Sequence, residues 1–265
     1  MLLSAVHAVA QNRGVHTTHY TTRDGMASNV VYTIMQDHLG YLWLGTNVGL
    51  TRFDGYRFTN FYHEVDGHWR TENIAGIAED TTQHRLLVTN MDGDVWHYDL
   101  ASQHSELLRH YDSRVYALLT DPQGRLWTGL RGGVWVGDCK YPTTNRHLNT
   151  ADGLAANVIF HLFRAPDGTV WVSSLDGGLI AAREQADGSF IFQTFLTDEK
   201  VHQVDADAQG HLWVATESGI FVREAENFRH VYDGAKCVAI CCTGEGQVLA
   251  ATIGQGLLLI ENGRL

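Results

Sequence analysis

The sequence is short of positive charge: 19 lysines and arginines stand against 30 aspartates and glutamates in 265 residues, a formal net charge of −11. No Lys/Arg cluster offsets that balance locally, so a phosphate backbone would be repelled and nucleic acid is excluded as a partner. Beyond the first residues no stretch approaches the ~20 apolar residues of a membrane-spanning helix. Helix-period segments are essentially absent after residue 11, which removes α/β and helical-solenoid architectures. Cysteine is scarce as well. Cys237, Cys241 and Cys242 fall in "KCVAICC", which reads as a strand and holds Cys237 and Cys241 too far apart to bond. Cys139 is isolated and no C-x-x-C spacing occurs, so buried free thiols are expected and neither a metal nor a cofactor is.

What the sequence does contain is apolar and turn-rich. Hydrophobic residues make up 44% and charged residues 18%, with 27 glycines and seven tryptophans, the composition of a packed globular chain and not of a disordered one. The opening "MLLSAVHAVAQ" has the apolar core and small-residue end of a secretory signal, with Ala8-Val9-Ala10 as the cleavage-type site but no positive n-region. Residues 1–11 are therefore expected to be a signal-peptide remnant, and 15–265 the folded domain.

That domain is periodic. "GYLWLGTNVGL" from Gly40 returns as "GRLWTGLRGGV" from Gly124, "GTVWVSSLDGGL" from Gly168 and "GHLWVATESGI" from Gly210, with weaker copies around Leu87 and from Gly246. The anchors Trp43, Leu87, Trp127, Trp171, Trp213 and Leu249 are spaced by 44, 40, 44, 42 and 36 residues, the period of propeller blades. Each unit offers four strand signals in order, so the sequence predicts an all-β propeller of six four-stranded antiparallel blades. A fragment of a seven-bladed or larger array is the competing arrangement. Apolar residues at adjacent positions around each Trp require both faces of that strand to be covered, which neighbouring blades would do. The small residues that follow (Gly45, Gly129, Ser173, Ala215, Ala251) are expected to crowd toward the axis. The Gly-apolar pairs from Gly49, Gly133, Gly178, Gly219 and Gly256 predict turns with φ > 0. An open last blade would leave an unpaired edge, so "VHTTHYT" (15–21) is expected to pair with the last repeat and clasp the ring.

The residues "YTTRDGMASNVVYTIMQDHLGYLWLGTNVGLTRFDGYRF" (20–58) closely resemble the opening of the two-component regulator propeller family, the extracytoplasmic sensor regions of bacterial hybrid histidine kinases and related membrane-bound diguanylate cyclases. Its pattern is met by Asp24, Gly25, Asn29, Val31, Asp37, Gly40, Leu42, Trp43, Gly45, Thr46, Gly49 and Leu50, with Met26 in place of the usual Leu. A second match runs from Asp152 through Gly153, Leu154, Asn157 and Val158 to Trp171. The resemblance implies a periplasmic, inner-membrane-anchored receptor that recognises a small ligand, in better-known members a glycan breakdown product. It also implies a second propeller, an immunoglobulin-like domain, a membrane helix and a kinase or cyclase outside these residues. The chain alone is then expected to bind, and to dimerise through the full-length receptor, without catalysis of its own.

In a propeller, the loops between second and third strands and those between blades gather on one face around the axis. The first set offers Asn47, Asn90, Arg131, Asp176, Glu217 and Gln255. The second contains one conspicuous insertion, "YHEVDGHWRTEN" (62–73), with His63, His68, Trp69 and Arg70. Trp69 lies outside the repeat, and a Trp beside Arg and His suits stacking on a sugar ring and bonding to its hydroxyls. Trp69, Arg70, His68, Asn47, Asn90, Arg131, Asp176 and Glu217 are the candidate ligand contacts; the plain alternative is that they build turns or cover blade edges. Catalysis has less behind it. The fifteen histidines form no H-E-x-x-H or H-x-H arrangement, and no G-x-S-x-G or phosphate-cradling loop is present. "DADAQG" (205–210) lacks the third acidic ligand and the distal Glu of a calcium loop and occupies the place of the turns "DHLG" and "DPQG". A propeller lyase or hydrolase and a protein-interaction propeller are the alternatives.

Overall fold

In the computed structural model, the structure describes residues 18–61, 73–80, 83–102, 104–139, 145–244 and 246–261. They form six antiparallel sheets in chain order, joined by turns and two short 3-10 segments. The first blade comprises β1 (Val31–Gln36), β2 (Leu42–Thr46), β3 (Gly49–Phe53) and β4 (Phe58–Phe61). The second comprises β5 (Ile74–Asp80), β6 (Arg85–Asn90), β7 (Asp94–Asp99) and β8 (Ser105–His110), and the third β9 (Val115–Thr120), β10 (Arg125–Leu130), β11 (Gly133–Asp138) and β12 (Arg146–Leu148). In the fourth are β13 (Ile159–Arg164), β14 (Val170–Ser174), β15 (Leu179–Glu184) and β16 (Phe190–Phe195). The fifth has β17 (Val201–Ala206), β18 (Leu212–Thr216), β19 (Gly219–Glu224) and β20 (Asn227–Tyr232). The sixth has three described strands, β21 (Cys237–Cys242), β22 (Gln247–Thr252) and β23 (Gly256–Glu261), where four were expected.

The first strand of each sheet lines a central channel, and neighbouring sheets seal against one another through the residue the repeat marks. Trp43 packs on Ile74, Ile77, Leu86 and Val88 of the second blade, and Trp127 on Ile159, Leu162 and Val170 of the fourth. Trp171 meets Val201, Val204 and Val214 of the fifth, and Trp213 meets Ile240, Val248 and Ala250 of the sixth. Leu87 does the same duty toward Val115 and Leu126 of the third blade. The indole N–H groups are satisfied locally: Trp43, Trp127 and Trp213 donate from Nε1 to Asp37, Asp121 and Asp207 at 2.8, 2.9 and 3.0 Å. Those aspartates also accept backbone N–H groups of the hairpin turn, which is why D-x-x-G precedes the Trp strand. "DADAQG" is such a turn.

At Gly45 and Gly129 the small residue after the Trp is required by the next sheet and, at Gly45, equally by Thr33 of the blade's own inner strand. A methyl on Gly45 would stand 2.6 Å from Ile74 Cγ2, and one on Gly129 2.7 Å from Ile159 Cγ2. The expected positive φ is found at all five Gly-apolar turns. At Gly133 and Gly219 a side chain would also collide with the carbonyl oxygens of Leu148 and Tyr232 in the outer strand.

Ring closure differs from expectation. β1, β5, β9, β13, β17 and β21 each pack on the next, but β21 has no comparable packing against β1. Ile34 is 64% exposed, whereas its counterparts Ile77, Leu162, Val204 and Ile240 are buried. Leu249, the last anchor, lines open space together with Leu257. Residues 18–21 form no strand, and Tyr20 packs on Phe53 and Phe58 of the first blade, so this described part of the expected clasp does not join the last. Cys139 and Cys237 are buried free thiols as expected, but Cys241 is exposed on the open side of the sixth sheet.

Candidate functional site

Every inner strand carries a β-bulge at the same place. Pairing to the second strand skips one residue, between Val31 and Thr33, Ile74 and Gly76, Val115 and Ala117, Ile159 and His161, Val201 and Gln203, and Cys237 and Ala239. A bulge re-aims the extra side chain out of the ladder. The six extra residues are Tyr32, Ala75, Tyr116, Phe160, His202 and Val238, and all six line one cavity of about 940 Å³ that runs along the channel and into the space between the first and sixth blades. They lie where the inner strands begin, the end that also carries the turns between second and third strands.

The ring is aromatic on one side. Tyr116 stacks on Phe160 with centroids 5.8 Å apart, and Phe160 meets the His202 ring edge-on at 5.5 Å. The Arg114 guanidinium lies 5.1 Å from the Tyr116 centroid. Lys200 and Lys236 precede the bulges of the last two blades and both grip Glu217, at 3.2 and 2.8 Å, which holds the Glu217 carboxyl below its ordinary pKa. Burial, aided by the Lys236 charge, lowers the pKa of His202, whose Nε2 is buried with no hydrogen-bond partner among the described residues and stands 3.9 Å from Glu217 Oε1. At the next residue of β13 after Phe160, burial pushes the pKa of His161 down to about 4. Flat π faces, an unpartnered imidazole nitrogen and rim cations suit a small polar ring that stacks and accepts or donates hydrogen bonds.

The candidates read from the turns share this face but divide by role. Asn90 is buried and builds its own turn, accepting from the N–H groups of Asp92 and Asp94. Asp176 accepts from the backbone of Asn157 and Val158 and from the Ser174 hydroxyl; these bonds outweigh its desolvation, hold its pKa low, and fix the strand that presents Phe160. Asn47 accepts at its carbonyl from Asn73 N–H. Gln255 bonds to Tyr232 and Gly234. Arg131 is exposed on the rim. His63, His68, Trp69 and Arg70 lie outside the described residues; their insertion rejoins the described chain at Asn73, whose Oδ1 is 3.5 Å from the Tyr32 hydroxyl. Sequence reasoning passed over the bulge residues because they sit inside strand signals. The trace was there: "NVVY", "SRVY", "NVIF" and "EKVH" set an aromatic or His at one fixed place after the repeat's entry turn.

Comparisons with known proteins agree with this architecture. The family model described as "Two component regulator propeller" matches residues 25–48. Histidine kinase P4 of Formosa agariphila is 41% identical over 54 residues, which is 20% of this chain and 4% of that protein. The extracellular domain of BT3049 from B. thetaiotaomicron, described as a hybrid two component system, superposes with a TM-score of 0.76 at 20% identity, over 92% of this chain and 35% of that one. The catalytically inactive virginiamycin B lyase from Staphylococcus aureus superposes with a TM-score of 0.66 at 11% identity, over 88% of this chain and 84% of that one. At these identities the structural likenesses establish the fold alone, and the chain spans about a third or less of the two signalling proteins.

Proposed function

We propose that this six-bladed propeller, whose residues 25–48 are a two component regulator propeller repeat, is the ligand-sensing part of a bacterial signal-transduction receptor. Its location would be periplasmic, within an inner-membrane-anchored protein that dimerises at full length. The ligand is a small glycan or a comparable polar ring, bound at the channel mouth, and its occupancy passes to an output domain outside these residues. The observation that carries the reading is the set of bulges that turns Tyr116, Phe160 and His202 toward one cavity. Strand pairing does not need the bulges, and six of them in register point to a common use of the mouth. The repeat family and the likeness to an extracellular domain support the receptor setting. Trp69, Arg70 and His68 of the sequence insertion that ends at Asn73 are retained as further candidate contacts for that ligand, on their residue types.

Thermal shift against an oligosaccharide panel tests the proposal. A ligand at a hundred times its Kd multiplies the folded-to-unfolded ratio about a hundredfold. Tyr116→Ala and Phe160→Ala should each weaken binding at least about tenfold, the worth of one stacked ring. Tyr56→Ala, 93% exposed at the opposite end of the first blade, should bind like the parent. Binding that ignores both mouth substitutions would refute this site. Turnover of a panel member would replace the sensor with a propeller lyase or hydrolase, chemistry that the fold also supports in virginiamycin B lyase.

A further inference from the structure

Five junctions between consecutive blades are sealed, and four of them are wedged by an indole: Trp43, Trp127, Trp171 and Trp213. The exception lies between the second and third blades, where Leu87 takes the place of Trp. Asp80 occupies the position of Asp37, Asp121 and Asp207, and the residue beyond it is Leu87 and not an indole. Into this junction the neighbouring strands bring two further donors, His97 from β7 and Cys139 from the end of β11. One donor atom from each of Asp80, His97 and Cys139 lies within 4.8 Å of the other two. The three residues are 2%, 6% and 1% exposed, and His97 Nε2 is buried with no hydrogen-bond partner among the described residues.

We infer that Asp80, His97 and Cys139 form a binding site for a borderline-soft divalent cation of the Zn²⁺ type, which ties the second blade to the third in place of the missing indole. A carboxylate and a thiolate supply two negative charges, so the ion is buried with its charge neutralised, and imidazole completes the set. Mixed S, N and O donors select Zn²⁺-like ions over Mg²⁺ or Ca²⁺, which take oxygen. In a tetrahedral zinc site the donors stand about 3.5 Å apart, given Zn–ligand distances of about 2.0–2.3 Å. Asp80 ends β5, His97 lies within β7 and Cys139 directly follows β11, so the backbone already holds the three donors near that spacing. Three protein donors leave the fourth position to a water. Arg85, a cation whose charge reaches His97, is drawn toward Asp99 at 3.6 Å.

Cysteine, histidine and aspartate also serve as nucleophile, base and orienting acid. That role fails here, because no substrate reaches a thiol that is 1% exposed. Burial, with Asp80, Asp138 and Asp121 nearby, pushes the Cys139 thiol up to about 12, so it is protonated until a cation displaces the proton. Uptake of one ion therefore releases one proton, from sulfur to solvent. Spacing rules could not find the site, since its donors are scattered over 60 residues and meet only across a blade junction.

Co²⁺ titration of the reduced, chelator-treated protein tests the inference. One equivalent should bind with a sulfur-to-cobalt charge-transfer band in the near ultraviolet and tetrahedral ligand-field bands in the visible. Zn²⁺ at a hundred times its Kd should raise the folded-to-unfolded ratio about a hundredfold. Cys139→Ser should abolish the charge-transfer band, while Cys241→Ser and Cys242→Ser keep it. X-ray absorption on the zinc-loaded parent needs no variant and should show one sulfur among nitrogen and oxygen donors. Absence of the band, its survival in Cys139→Ser, or a zinc shell with no sulfur or with two or more overturns the inference.

Discussion

The aspartate that opens each D-x-x-G turn does two jobs with one carboxylate, closing the hairpin and holding the indole of the strand beyond. Asp121 is the strongest case: it accepts from the backbone of Gln123 and Arg125, from Arg125 Nε at 2.7 Å and from Trp127 Nε1. Asp121→Ala strands a buried indole N–H and should cost about 3 kcal/mol in urea unfolding. At Asp207 burial alone would raise the pKa, yet the bonds from Trp213 and His211 prevail and lower it. A carboxylate depressed in the folded state adds stability above its unfolded value of 3.8, and that stability is lost as pH falls through the folded value. Melting temperature should therefore drop below about pH 4, and Asp207→Asn should lower the plateau and flatten the drop. The turn was legible in the sequence as D-x-x-G. The indole bond was not, because it spans six positions and requires the Trp rotamer, which only packing against the next sheet decides.

At the scale of the strand, the second strand is the one whose burial the pattern described best. Adjacent apolar residues announced two covered faces, and β14 and β18 are buried throughout. Trp171→Ala should cost about 3–5 kcal/mol, because it opens a cavity against the fifth blade. Leu249→Ala, at the equivalent position of the sixth blade, should cost less than about 1.5 kcal/mol, because no sheet among the described residues covers it and it lines the cavity. Equal losses in denaturant unfolding would contradict the open side of the sixth sheet. The described part of the N-terminal segment, residues 18–21, departs from the expected strand for a local reason: Tyr20 finds its apolar partners on Phe53 and Phe58, and a capping box at Thr21 and Asp24 turns the chain into a 3-10 segment.

For the molecule as a whole, periodicity foretold six sheets, their order and their shared axis, because a repeat that buries one face per unit has few other ways to be satisfied. It could not foretell the mouth. The functional candidates Tyr116, Phe160 and His202 depend on a bulge, a register feature with no composition of its own. Protection should likewise be uneven: amide exchange should be slowest in β13–β18, sealed on both sides, and fastest in β1 and β21–β23, where Ile34 and Leu257 are exposed. Uniform exchange across the six blades would contradict that gradient. Among the described residues, the rigid plates are joined at five edges and show no comparable packing at the sixth, the form of a split washer. Small angular adjustments spread over five joints alter its bore at little cost to any one of them, so the diameter of the opening is a soft coordinate of this molecule even though each plate is stiff.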